Sequence, residues 1–98
     1  MKYQKVGNLE IAKLCNNIGA VYYQKGDKKL ALKKFEEAFD IMKRLVEGPV
    51  RRESLVYDTS IILSNMGKIY LERKKYEMAY RMLEHALMVS CYSNRIII

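Results

Sequence analysis

A shift of 48 positions lays this 98-residue chain over itself. Asn17 then meets Asn65, Gly19 meets Gly67, Tyr22 meets Tyr70, Ala31 meets Ala79, Glu36 meets Glu84 and Ala38 meets Ala86. Conservative matches pair Ile18 with Met66, Val21 with Ile69, Lys25 with Arg73, Phe35 with Leu83 and Phe39 with Leu87. No other feature constrains the fold as much, because a repeated unit of this size buries its apolar face by stacking on its neighbour. The recurring small residues carry most of the information. A glycine inside a helix costs about 1 kcal/mol against alanine, and Gly19 and Gly67 accept that cost at matched positions. We expect Gly19 to face Ala31, and Gly67 to face Ala79, across two antiparallel hairpins whose helices approach closely.

The spacing of apolar residues predicts four helices. The first runs from about Leu9, with Asn8 as N-cap, to Gln24, and presents Ile11, Leu14, Cys15, Ile18, Val21 and Tyr22 on one face. Gly26 ends it and Asp27 caps the next. The second runs from about Lys28 to Val46, with Ala31, Phe35, Ala38, Met42 and Leu45 as a buried stripe. Gly48-Pro49 breaks the chain near its middle, since proline lacks an N–H and disfavours helix at the residue before it. The third helix, from Arg51 or Arg52 to Arg73, turns Leu55, Ile62, Leu63, Met66, Ile69 and Tyr70 inward. The fourth, from about Tyr76 to Cys91, turns Ala79, Met82, Leu83, Ala86 and Leu87 inward. The turn at Arg73-Lys74-Lys75 has neither a glycine nor a good cap and is expected to be less sharply defined than that at Gly26-Asp27. Only the tail Arg95-Ile96-Ile97-Ile98 reads as a candidate strand. The fold class is therefore all-α, in a single domain over 1–98: a first repeat over about 9–46, a turn at 47–50, a second repeat over about 51–92 and a tail at 93–98.

Half the residues are hydrophobic and 30% are charged, which suits a folded chain and excludes a disordered one. No apolar run approaches the roughly 20 residues that span a bilayer. The N-terminus lacks the apolar stretch of a signal peptide, so a cytoplasmic location is expected. Cys15 and Cys91 make no CxxC pair and no metal spacing, and read as buried reduced thiols. There is no phosphate loop, no Ser-His-Asp order and no metal cluster; neither a cofactor nor catalysis is expected. His85, alone on the fourth helix, reads as a surface or groove-edge imidazole.

The pattern Ile18, Gly19, Tyr22, Ala31, Phe35, Ala38, repeated as Met66, Gly67, Tyr70, Ala79, Leu83, Ala86, resembles the tetratricopeptide repeat (TPR) family. It covers roughly residues 12 to 92. The family's period is about 34 residues. The family's early Trp is replaced here by Cys15 and Leu63, its closing Pro by Lys43 and Cys91, and Lys74 stands where glycine is preferred. The extra residues, about 14, divide between the second and third helices as nearly two turns each. The two central helices should then be elongated by about 10 Å and flanked by shorter outer ones.

The resemblance implies two hairpins stacked as a short superhelix, with the first helix of each pair on the concave side. It places Lys13, Asn16, Asn17, Ala20, Tyr23 and Gln24 there from the first repeat, and Ile61, Ser64, Asn65, Lys68, Leu71 and Glu72 from the second. Asn17 and Asn65 are the foremost candidates. Relatives use Asn at this position to hold a ligand backbone, and an amide offers both a donor and an acceptor to a peptide unit. The alternative is that these amides only solvate or cap the groove. The family's clamp for chaperone tails is not expected, because Asn16 and Ala20 replace two of its positions, no third repeat is present and Asn65 alone matches.

The net charge of +7, with Lys25, Lys28 and Lys29 at one turn and Arg73, Lys74 and Lys75 at the other, makes a basic edge. That edge is either a solvated surface or a site for an acidic partner. Nucleic acid is disfavoured, since only Tyr76 interleaves an aromatic with the charge. The leading reading is a non-catalytic module binding a peptide or protein segment in its groove. A self-associating structural segment, a homodimer or a piece of a longer array, is the alternative: two repeats are few, and Met88-Val89-Ser90-Cys91-Tyr92 and the isoleucine tail offer no polar cap. An RNA-binding helical repeat ranks third.

Overall fold

The computed structural model describes the backbone of residues 2–46 and 53–97, and the side chains of residues 8–46 and 55–89. The expected break at Gly48-Pro49, Arg51, Arg52, the Cys91 side chain and Ile98 lie outside these described residues. Four helices follow in order: α1 (Lys2–Gln24), α2 (Lys28–Val46), α3 (Glu53–Glu72) and α4 (Tyr76–Ile97). Each packs on the next, so α2 and α3 lie inside the stack and α1 and α4 at its edges.

The central helices are long, at 19 and 20 residues, against an average of about 11–12. The outer ones are not shorter, at 23 and 22 residues. Asn8 is no cap, because α1 starts at Lys2; residues 2–7 include no proline, and nothing interrupts the helix there. Likewise the isoleucine tail continues α4 to Ile97 instead of forming a strand. The helix propensity of isoleucine falls short of alanine's by well under 1 kcal/mol per residue, which is too little to stop a helix already nucleated.

Both hairpin turns close with the same hydrogen bonds. After α1, the Asp27 N–H donates to the Tyr22 carbonyl at 2.9 Å and the Gly26 N–H to the Tyr23 carbonyl at 3.0 Å. Gly26 takes the left-handed conformation this requires, with φ 89°. Asp27 Oδ1 then accepts from the Leu30 N–H at 3.1 Å and caps α2. After α3, the Lys75 N–H donates to the Tyr70 carbonyl at 2.7 Å and the Lys74 N–H to the Leu71 carbonyl at 3.0 Å. The second turn is thus as sharply defined as the first, against expectation. Lys74 occupies the glycine position with φ 60°. Its Cβ costs about 1–2 kcal/mol there, and satisfying the last carbonyls of α3 outweighs that cost.

The core explains which face each helix shows. α2 buries Ala31, Phe35, Ala38 and Met42 as expected, with Leu45 half-buried. In α3 all six expected residues are buried, joined by Thr59. Thr59 satisfies its hydroxyl within the helix by donating to the Leu55 carbonyl at 2.6 Å. The edge helices depart from the expected faces. α1 buries Ala12, Cys15 and Gly19, while Ile11, Leu14 and Val21 are exposed. α4 buries Ala79 and Met82, while Leu83 and Leu87 are exposed. An edge helix packs extensively on one neighbour where an inner helix packs on two, so only part of its apolar surface is covered.

The two glycines play different parts. A Cβ on Gly19 would lie 2.7 and 2.8 Å from Cε1 and Cδ1 of Phe35. The residue that demands Gly19 is therefore Phe35 and not Ala31. A Cβ on Gly67 would meet the Met82 Cβ at 3.6 Å and the Ala79 carbonyl oxygen at 3.9 Å, which is ordinary contact. The expected approach to Ala79 holds there, but no ring presses on the site, because Leu83 replaces phenylalanine and faces outward.

Gly19→Ala should lower unfolding free energy by about 1–2 kcal/mol, as overpacking outweighs the gain in helix propensity. Gly67→Ala should be neutral or stabilising by up to about 1 kcal/mol. Urea denaturation of the two variants checks both, and equal effects would refute the distinction. Lys74→Gly should stabilise by about 0.5–1 kcal/mol, the relief of the left-handed Cβ less the extra freedom of the unfolded chain.

Candidate functional site

The first helices of the two hairpins, α1 and α3, meet through polar side chains. Asn65 Nδ2 donates to Asn16 Oδ1 at 3.2 Å. About two turns further along, the Tyr23 hydroxyl donates to Glu72 Oε2 at 2.5 Å. Lys68 Nζ lies over the Tyr23 ring, 5.0 Å from its centre. Glu72 Oε1 also receives Lys28 Nζ from the start of α2, at 3.3 Å. Four of the predicted site residues thus form two linked groups, Asn16 with Asn65 and Tyr23 with Glu72, and Lys68 joins the second through its cation–π contact. Lys13, Asn17, Gln24, Ser64 and Leu71 are exposed, and make no side-chain hydrogen bond among the described residues.

Residue spacing explains the pairing. Asn65 and Glu72 stand seven positions apart on α3, as do Asn16 and Tyr23 on α1, nearly two helical turns, so each pair keeps one face. The contact of Asn16 with Asn65, and of Tyr23 with Glu72, crosses the 48-residue period by one position. That offset cannot be read from alignment of the repeats and depends on how α3 sits against α1. Lys28 was expected only in the basic edge; its pairing with Glu72 ties that edge to the α1–α3 face.

Electrostatics follow these contacts. The Tyr23 hydroxyl, then Lys28 and Lys68, hold the Glu72 carboxyl below its usual range, although partial desolvation opposes them. Burial pushes the Cys15 thiol up, reinforced by Glu37, whose Oε1 receives the thiol at 3.7 Å. Cys15 is buried, as expected, and free of any disulfide, and its raised pKa makes it a poor nucleophile at neutral pH. Burial and the charge of Glu36 likewise raise the Tyr70 phenol, whose hydroxyl donates to Glu36 Oε2 at 3.4 Å. His85 is exposed as expected, and its ring stacks on Phe39 with centres 6.0 Å apart. That stacking joins α4 to α2 on the side built from the second helices, away from the α1–α3 contacts. Among the described residues no cluster of three His, Cys, Asp or Glu could hold a metal, and no helix is long and apolar enough to cross a membrane.

A lowered carboxyl pKa sets the sign of the acid response. The Glu72 contacts stabilise the fold above the usual carboxylate range and are lost as pH falls through the depressed folded value. Tyr23→Phe should move the Glu72 pKa upward, as followed by carboxyl NMR titration. An unchanged titration would show that the hydroxyl does not hold the charge. The effect on stability should be small and screened by salt, because the group is exposed.

Comparison with known proteins agrees with this geometry. Models described as tetratricopeptide repeat match residues 12–45 and, separately, residues 62–90. Their limits fall on the α1–α2 hairpin and the α3–α4 hairpin, and their starts, at residues 12 and 62, are consistent with the long period. No curated protein and no solved structure matches the chain. Two matched copies that span most of the sequence, each folded as a hairpin with its own small-residue seam, make the chain a member of the tetratricopeptide repeat family.

Proposed function

We propose that residues 1–98 act as one non-catalytic module that holds an extended peptide or protein segment against the α1–α3 face. The family is one of protein–protein interaction repeats. The observation that supports this face is the run of polar groups along it: Asn17, the Asn16–Asn65 pair, then Tyr23, Lys68 and Glu72. Asn65 spends one N–H on Asn16, and a primary amide retains a second donor and its carbonyl oxygen. Asn17 is exposed and offers the same groups one repeat earlier. Two amides spaced along the face suit recognition of peptide units regardless of side chain. Leu71, half exposed, would add apolar contact beside them.

Charge favours an acidic segment. Lys13 and Lys68 are exposed on the first helices, and the chain carries a net +7. Glu72 is already engaged by Tyr23 and Lys28, which reduces its power to repel an anion. A free thiol buried at Cys15 is compatible with the reducing conditions of the cytoplasm.

Panning a random peptide library against the purified chain tests the reading. Enriched peptides should be acidic and should lose at least about ten-fold in affinity to the variant carrying Asn17→Ala and Asn65→Ala, roughly 1.4 kcal/mol. Asn16→Ala, which breaks the amide pair alone, should leave more of the affinity. Peptides that bind all three chains equally would remove the asparagines from the site. Affinity should fall modestly between 50 and 200 mM salt; the steep loss of about 10³ or more expected for many phosphate contacts would favour RNA instead.

A further inference from the structure

The two edges of the stack are the two halves of its own internal interface. α3 buries two stripes. One, Leu63 and Gly67, matches Cys15 and Gly19, which α1 buries in its own hairpin. The other, Thr59, Ile62, Met66 and Ile69, is also buried, on a helix that packs on both α2 and α4 where α1 packs on α2. Its counterparts on α1 are Ile11, Leu14, Ile18 and Val21. Ile62 is 2% exposed and Leu14 57%; Ile69 is fully covered and Val21 is 50% exposed. The same inversion holds on the other side. Phe35 of α2 is 2% exposed, and its counterpart Leu83 of α4 is 51% exposed; Phe39, four residues on, is half-buried, and its counterpart Leu87 is exposed.

The polar register mark of that interface is also duplicated. Inside the chain the Tyr70 hydroxyl donates to Glu36 Oε2 at 3.4 Å, from α3 to α2. Tyr22 repeats Tyr70 on α1, and Glu84 repeats Glu36 on α4. Glu84 is exposed and Tyr22 half-buried. Each edge therefore carries an apolar stripe and one member of a hydrogen-bonding pair, and the complement of each lies on the opposite edge of the same molecule.

We propose that copies of this chain stack head to tail, the α4 face of one, through Leu83 and Leu87, seating on the α1 face of the next, through Leu14 and Val21, with Tyr22 donating to Glu84 across the joint. The occupant is a second copy because the internal α2–α3 contact shows what such a face accepts, and α1 presents that surface in the same register. The contact is heterologous, so it does not close on itself and propagates the superhelix. Asn17 borders it on α1, three residues after Leu14 and four before Val21, whereas the Asn16–Asn65 and Tyr23–Glu72 contacts face α3, and the joint does not depend on a ligand at the α1–α3 face.

Light scattering after size exclusion, over a range of concentrations, reads the assembly. The wild-type chain should gain mass in whole multiples of the monomer as concentration rises. Two variants separate the halves: Leu83→Glu with Leu87→Glu, and Leu14→Glu with Val21→Glu. All four positions are exposed, and circular dichroism should show both variants fully helical. Each variant alone should stay monomeric, and an equimolar mixture should form a one-to-one heterodimer through the two intact faces. A wild-type chain that is monomeric at millimolar concentration would overturn the proposal. So would a mixture that does not associate, or an α1-face variant that still dimerises alone, which would mean a symmetric α4–α4 contact. Tyr22→Phe and Glu84→Gln keep both faces apolar and should each weaken association about three- to ten-fold; no loss in either would overturn the register and the proposal with it.

Discussion

The Phe35 ring fills the space that any side chain at position 19 would need, and much of the first hairpin follows from that one contact. With Gly19 bare, α1 and α2 close on the ring, and Ala12, Ala31 and Ala38 are fully buried in the same core. Phe35 then lies nearly sealed between α1 and the inner stack, where its burial contributes roughly 2–3 kcal/mol. The glycine costs about 1 kcal/mol in helix propensity, so the balance favours the pair. The second hairpin lacks this wedge. Its seam closes on Met82 and the Ala79 carbonyl at ordinary distances. Identical glycines therefore sit under different constraints, and only the first is compelled by sterics.

How much of this was legible in the residues depends on the scale of the question. Hairpins, their order and the inner faces of α2 and α3 follow from apolar spacing and small residues in register, both local properties. The Gly26-Asp27 turn is legible because both residues suit their roles. The Arg73-Lys74-Lys75 turn misleads, because its geometry is dictated by the carbonyls left over at the end of α3 and by the packing of the two helices. Lysine tolerates a conformation it would not choose. The edge helices mislead for another reason. Ile11, Leu14 and Val21 have the right spacing for burial, but burial needs a partner as well as a pattern, and a pattern cannot say how many partners a helix has.

The candidate site shows the same division. Its membership came from the family pattern, and five of its residues do engage one another across α1 and α3. What the pattern could not supply was the one-position offset that sets Asn16, and not Asn17, against Asn65. The offset gives the two asparagines unequal roles. Asn65 helps to hold the repeats together and keeps part of its amide unspent, whereas Asn17 lacks such a neighbour among the described residues. Tyr23, Lys68, Glu72 and Lys28 make a second tie, and through Lys28 the basic edge is held to the same face. A surface fixed in this way has little side-chain freedom left to lose, which is the condition that favours binding on any such face.

The composition of the edges runs against what water alone would favour. At one pair of matched positions the buried residue is Thr59 and the half-exposed one is Ile11, so the more apolar side chain faces solvent. Leu14, Val21 and Leu83 likewise keep the character of their buried counterparts although 30% of the chain's residues are charged and could have served there. Scattered exposed leucines are common on protein surfaces; a stripe that stays apolar, position for position, where the matching helix is covered is a different matter. In a stacked array, burial belongs to a position in the stack and not to a residue type, and an edge remains an edge only until another copy arrives. Edge helices that keep the inner pattern have retained the means to become inner helices.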